Sequence, residues 1–152
     1  DRRSPVAFDF SGQGFPIRAG WLTPNAGWLV WDPRHQASVA SGFQLFGSVT
    51  WMMFWSNGYH ALGVLDDDGD GRLSGDELDG LALWHDRDGD GVSGAGEVRP
   101  LATFGIVSLA YAHERASADF WVSREGVTFR DGRSMPTYDW LLHARPASRP
   151  TQ

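Results

Sequence analysis

The sequence predicts an α+β fold in which short β-hairpins flank a central helix–loop–helix–loop unit. Three observations carry that expectation. Short apolar runs, some with period-two alternation and several closed by glycine or proline turns, occupy both ends of the chain. Two aspartate–glycine loops of equal length sit in the middle. A chain of 152 residues, 41% hydrophobic and 21% charged, suffices for one domain with an ordinary core.

The elements follow in order. Residues 1–4 are polar and read as a flexible N-terminus, and 5–143 read as a single domain. Within it, 5–56 hold hairpins and an apolar segment, 57–104 the paired loops, and 105–143 the C-terminal strands. Val6, Phe8 and Phe10 alternate as a strand that ends at Gly12–Gln13–Gly14. Ile17 to Leu22 is a second extended run, closed by Thr23–Pro24–Asn25. Trp28 to Trp31 forms a compact apolar strand, paired with its predecessor as a hairpin. Residues 43–65 are the most apolar stretch, and a short helix starts near Asn57.

The two loops start 20 residues apart, with only Leu78 to His85 between them. That is about two helical turns, so one short helix leaves the first loop and enters the second. Leu78, Leu81 and Ala82 line its face, and Trp84 anchors the core. Further on, Leu101 to Phe104 reads as a helical turn and Ile106 to Tyr111 as a strand. Phe120–Ser123 and Val127–Arg130 read as a hairpin around Arg124–Glu125–Gly126. Asp131–Gly132 is a turn, and Thr137 to Leu142 a last ordered segment. Residues 144–152, with two prolines and no aromatic ring, have the composition of a flexible tail.

Composition excludes several functions. There is no cysteine, hence no disulfide scaffold, thiolate zinc site or cysteine nucleophile. The net charge is −6, and all 13 bases are arginine. That balance argues against general nucleic-acid binding. The charge is concentrated: residues 66–97 hold eleven acids and two arginines, a local −9, and the rest of the chain is +3. Such density opposes a compact fold unless cations sit there. The longest apolar run, Val49 to Trp55, is too short to span a bilayer. The chain opens on Asp1 and not methionine, which is compatible with a removed signal peptide.

The acidic window resolves into two ligand loops. A 12-residue EF-hand-type loop needs oxygen ligands at positions 1, 3, 5, 7, 9 and 12, with glycine at 6. Residues 66–77, DDDGDGRLSGDE, supply Asp66, Asp68, Asp70, the Arg72 carbonyl, Ser74 and a closing Glu77, with Gly71 at the turn. Leu73 points into the core. Residues 86–97, DRDGDGVSGAGE, supply Asp86, Asp88, Asp90, the Val92 carbonyl and Glu97, with Gly91 at the turn. Position 9 is Gly94, so water is expected there and weaker binding than in the first loop. A single aspartate–glycine run is compatible with a merely solvated turn, though the calcium loop is the stronger reading even then. Two, each with glycine at 6 and glutamate at 12, read as sites for two calcium ions. Magnesium is the competitor, but a closing glutamate suits calcium better.

The stretch LALWHDRDGDGVSGAGEVRPLATFGIVSLA (81–110) resembles the calcium-binding segment of large bacterial exoproteins of the RTX type. GWLTPNAGWLVWD (20–32), FQLFG (43–47) and NGYHALGVLDDDGDG (57–71) follow the order of the calcium-dependent self-processing module of iron-regulated RTX exoproteins. The resemblance covers about residues 5–110 and implies an exported, calcium-binding domain. It also implies further aspartate loops near the start, which are eroded here to DFSGQG (9–14) and DPRHQA (32–37) and should not bind strongly. Members of that family cut an Asp–Pro bond at the module's front edge, where the aspartate attacks its own carbonyl. The matching proline is Pro5, preceded here by Ser4, so the nucleophile is missing. Asp32–Pro33 lies inside an eroded loop and reads as a turn.

The five histidines form no metal-binding spacing, and neither a serine elbow nor a phosphate loop is present. The clustered acids are absorbed by the loops, so no enzyme is expected. The loops, together with what the resemblance implies, point to an extracytoplasmic, calcium-stabilised structural or accessory domain of a bacterial protein. Trp51, Met52, Met53, Phe54 and Trp55 cannot all face inward, which gives a second reading: a patch that docks a protein partner or a membrane interface. A calcium-triggered self-processing protease is the third.

Overall fold

A computed structural model of the chain describes residues 5–142. Its strands are β1 (Val6–Phe8), β2 (Ile17–Ala19), β3 (Trp28–Trp31), β4 (Arg72–Ser74), β5 (Leu81–Trp84), β6 (Val98–Pro100), β7 (Ile106–Ala110), β8 (Glu114–Arg115), β9 (Phe120–Phe129) and β10 (Ser134–Trp140). The α-helix is α1 (Gly58–Gly63), and 3-10 turns lie at Gly42–Gln44, Thr50–Met52, Gly75–Leu78 and Leu101–Phe104. β1 pairs with β2; β3, β5 and β6 form a second sheet; β10, β9, β7 and β4 form a third, with β8 also on β9. The expected flexible ends, 1–4 and 144–152, lie outside the described residues. No described helix is long and apolar enough to cross a membrane.

The fold is therefore mainly β, and the predicted central helix–loop–helix–loop unit is not what forms. The segment between the loops is a strand. Asp79 is extended and Gly80 has a φ of 84°, which breaks any helix at its start. A Cβ on Gly80 would stand 3.1 Å from both Pro33 and the Trp31 ring. Beyond it, side chains alternate between two cores: Ala82 and Trp84 enter one, Leu81 and Leu83 the other. The 3–4 spacing of Leu78, Leu81 and Ala82 mimicked a helix face, yet Leu81 and Ala82 point opposite ways. Pairing to β3 on one side and β6 on the other satisfies the backbone.

Two hairpins also differ from expectation. β3 does not pair with β2; Trp28 lies opposite Trp84 and Trp31 opposite Leu81. Residues 120–130 do not fold back on themselves. β9 runs straight through and pairs with β10 across the Asp131–Gly132 turn. Gly126, with a φ of 52°, marks a register shift, where a side chain would collide with the Met135 carbonyl.

The helix is where the sequence placed it. Asn57 caps it, its Oδ1 accepting from the Tyr59 and His60 amides at 3.0 and 3.3 Å. Six residues cannot hold a helix alone. The Gly58 N–H donates to Asp139 Oδ2 at 2.7 Å, and the Tyr59 hydroxyl lies 3.1 Å from Thr137 Oγ1, which ties α1 to β10.

The core has two parts. Val6, Phe8, Trp21, Val30, Val39, Leu45, Ala82, Trp84 and Val98 form one. Tyr59, Leu62, Leu73, Leu81, Leu101, Ile106 and Leu109 form the other. β5 is the partition between them.

Burial holds the Asp139 carboxyl above its usual value of 3.8, despite the Gly58 N–H and the nearby His113, which act the other way. A raised acid binds its proton more tightly folded than unfolded. Its charge thus costs stability above the folded value, and the cost is relieved as pH falls toward 3.8. Asp139→Asn keeps the acceptor for Gly58 and is expected to raise Tm at pH 7 and flatten the pH dependence just above the carboxylate range. Thermal scans from pH 4 to 7 check this; a lower Tm at pH 7 contradicts it.

Candidate metal centre

The two predicted loops fold by one hydrogen-bond scheme. In the first, Asp66 Oδ1 accepts from the Gly69 amide at 2.7 Å, and Oδ2 from the Gly71 amide at 2.9 Å. In the second, Asp86 Oδ1 accepts from Gly89 at 2.8 Å and Oδ2 from Gly91 at 2.9 Å. The closing glutamates match as well. Glu77 takes the amides of Asp67 and Ser74 at 2.7 and 3.0 Å; Glu97 takes those of Arg87 and Gly94 at 2.8 and 2.9 Å. Asp70 and Asp90 each accept from the amide two residues on, at 2.8 and 2.7 Å. Glycines at positions 4 and 6 have φ between 74° and 89° in both loops, a region that side chains resist.

This scheme gathers charge. Asp66, Asp68 and Asp70 have carboxylate oxygens within 4.8 Å of one another, and so do Asp86, Asp88 and Glu97. Glu77 and Asp90 lie outside these triads, with oxygens turned to the backbone amides named above. Ser74 stands at the start of the 3-10 turn that carries Glu77, and Val92 presents its side chain to solvent. Arg72 contributes its backbone to β4, and its guanidinium pairs with Glu125. Leu73 is fully buried, as its position predicts.

The loops differ in burial. Asp86 and Glu97 are buried, whereas Asp68 and Asp70 are exposed. Each first aspartate also receives a donor that the linear sequence does not reveal. Tyr111 Oη donates to Asp66 Oδ2 at 2.7 Å, and Trp21 Nε1 donates to Asp86 Oδ2 at 2.6 Å. Trp84 Nε1 reaches Glu97 Oε2 at 3.4 Å. These aromatic donors come from other elements, so no local motif marks them.

Electrostatics follow the geometry. The Tyr111 hydroxyl and the loop amides hold Asp66 below the usual carboxylate value, and the Ser74 amide does the same for Glu77. The Asp70 amide pulls Asp68 down, but partial desolvation within the loop and the charges of Asp70, Glu77 and Asp66 together push it up. Asp88 is pushed up by partial desolvation within the loop, its contact with Asp86 and the charge of Asp90. An all-oxygen set of this kind fits a hard cation and not zinc or copper.

The eroded loops keep the turn without the ligands. Asp9 accepts from Gly12 at 2.9 Å and Gly14 at 2.7 Å, the same positions 4 and 6, but Ser11 and Gln13 replace acids. Asp32 accepts from Gln36 and Ala37 at 2.9 and 2.8 Å. There positions 4 and 6 are His35 and Ala37, with φ of 51° and 53°. The fold thus repeats one aspartate turn four times among the described residues, twice with a full acid set.

These features define a small β-rich module organised by acidic turns. The chain belongs to the SPM domain family, whose model matches residues 1–143. It is also 32% identical over 147 residues to the iron-regulated protein FrpA of Neisseria meningitidis serogroup C. That alignment takes in 90% of this chain and 13% of FrpA, so the chain spans a small part of its relative's length.

Two substitutions at position 6 should act with opposite sign. Gly91→Ala forces a left-handed φ on a side chain whose Cβ would stand 2.5 Å from Val6 Cγ1 and 2.8 Å from the Ala7 carbonyl, and is expected to cost more than about 2 kcal/mol. Ala37→Gly relieves a left-handed alanine and is expected to stabilise by up to about 1 kcal/mol. Denaturant titration measures both, and equal signs contradict the shared turn geometry.

Proposed function

We propose that this domain binds two calcium ions, in the loops 66–77 and 86–97, and serves as a calcium-stabilised structural or accessory part of an exported bacterial protein. The observation that carries this reading is the repetition of one scheme in two loops, each converging three carboxylates within 4.8 Å. Asp66, Asp68 and Asp70 would hold one ion, with Glu77 closing; Asp86, Asp88 and Glu97 would hold the other, with Asp90. A bound ion neutralises carboxylates that otherwise repel one another. Two such ions offset four of the nine excess negative charges in the window. Extracellular modules work with Kd values of about 10⁻⁴–10⁻³ M, so an extracytoplasmic setting (secreted, periplasmic or cell-surface) suits the reading, with folding triggered on export.

We read the domain as a binder and not an enzyme. Ser4 lies outside the described residues. The Asp32 carboxylate is buried and held by the Gln36 and Ala37 amides. That engagement opposes attack on the Asp32–Pro33 bond.

The alternative, a docking subunit, draws on the 51–55 segment. Trp51 and Trp55 turn inward: Trp51 packs on Trp31 and Phe46 at 5.6 and 5.7 Å, and Trp55 Nε1 donates to the Thr50 carbonyl at 2.9 Å. Met52, Met53 and Phe54 face solvent, Phe54 with 96% of its surface exposed. Trp51 and Met52 both have left-handed φ, 57° and 63°, a strain the buried Thr50 helps to hold. Exposed apolar side chains beside a strained backbone favour a contact patch.

Calcium at a hundredfold excess over Kd should stabilise by about 2.7 kcal/mol and raise Tm by about 5–10 °C for each site filled, with EGTA reversing the shift. Intact mass should be unchanged after incubation with calcium. A Tm indifferent to EGTA defeats the calcium reading, and a cleaved product restores the protease. For the alternative, the wild type should self-associate with concentration or bind vesicles, and the double variant Met52→Ser/Phe54→Ser should keep its Tm and lose that behaviour. Sedimentation and vesicle flotation read this out; a monomeric wild type that ignores vesicles counts against docking.

A further inference from the structure

Each acidic loop is tied to a different half of the molecule. The second loop faces the N-terminal half. Its Asp86 takes the Trp21 indole N–H, and Trp21 sits among Phe8, Phe10, Trp28 and Trp84 with ring centroids 5.4–6.0 Å away. Gly91 is packed so closely on β1 that a Cβ would strike Val6 and Ala7. The Val39 amide donates to Ser93 Oγ at 2.8 Å. Val6, Trp21 and Val39, which meet the loop in these contacts, all belong to one core.

The first loop faces the C-terminal half. Its Asp66 takes the Tyr111 hydroxyl, and Tyr111 follows β7 directly. β4, inside the loop, pairs with β7, placing Arg72 opposite Ala110 and Ser74 opposite Ser108. Arg72 pairs with Glu125 of β9. Leu73 enters the other core, with Leu109 and Ile106. β5 separates the two arrangements, one pair of its side chains in each core.

We infer that the two sites control different halves of the fold: occupancy of loop 86–97 docks and orders the N-terminal half, residues 5–45, and occupancy of loop 66–77 orders the C-terminal sheet, residues 106–140. This rests on the calcium reading above. A cation in either loop fixes its first aspartate, and that aspartate holds a donor from only one half. The domain then has two calcium inputs with separate structural outputs, and a chain filled at one site alone is half ordered.

Hydrogen exchange read by mass spectrometry on the full chain, with and without calcium, tests this. Asp68→Asn and Asp88→Asn each remove one exposed ligand and touch no core. With calcium at wild-type saturation, Asp88→Asn is expected to exchange about tenfold faster in 5–45 and less than about twofold faster in 106–140. Asp68→Asn is expected to do the reverse. Tyr111→Phe, which deletes one hydroxyl, should raise the calcium midpoint for 106–140 and leave that for 5–45 unchanged. Both halves losing protection together in either variant, or neither half losing it, overturns the inference. A wild type whose exchange ignores calcium overturns the calcium reading itself, a result distinguishable from the other two.

Discussion

A carboxylate that accepts the amides of its own turn is the interaction on which this domain is built. Asp9, Asp32, Asp66 and Asp86 each fold five following residues around one side chain. Most of the strands here are only two to five residues long, too short to fix their own register or direction. The turns do that work. They place β1 against β2, direct β4 toward β7, and return the chain from β5 to β6. The cost is four anionic groups held close to backbone, two of them with further acids crowded beside them. Amide donors offset part of that cost, and the aromatic donors Trp21 and Tyr111 offset more at the two complete loops.

The second organising feature is β5. A four-residue strand with both faces covered joins two cores that would otherwise be separate small clusters. Neither is large, which places unusual weight on its few large side chains. Trp84 is fully buried, contacts the rings of Phe8 and Trp21, and still spends its indole N–H on Glu97. Packing and acidic loop are thus the same structure at that residue. Loss of the loop's order would be felt directly in the first core.

Much of this was legible in the sequence, for local reasons. The loops follow a fixed ligand spacing, so Asp66, Asp68 and Asp70 come together, and Asp86, Asp88 and Glu97 do likewise. Asn57 before an apolar run announced α1, and β3 matches the WLVW run end to end. What sequence could not supply was pairing. Trp28–Trp31 finds its partner 50 to 56 residues away, because β3 fills one of the two hydrogen-bonding edges of β5. The segment 78–85 satisfied a helical pattern and a strand pattern equally well over so few residues. Gly80, next to the Trp31 ring, decided for the strand. Gly126 looked like a hairpin tip and is a bulge, since only the neighbouring strand shows what a glycine is avoiding. Trp21 and Tyr111 were invisible as loop donors because their contacts span 65 and 45 residues.

The Asp32 turn persists with His35 and Ala37 in left-handed conformations and with no acids at positions 3 and 5. Shape and ligand supply are therefore independent traits of this loop. The first aspartate writes the bend, and in the two complete loops the acids at positions 5 and 12 brace it further by accepting backbone amides. A designer could accordingly treat each turn as a socket, altering positions 3 and 9 to admit a lanthanide, or to refuse every ion, while the acceptors at positions 1, 5 and 12 keep the surrounding backbone in place.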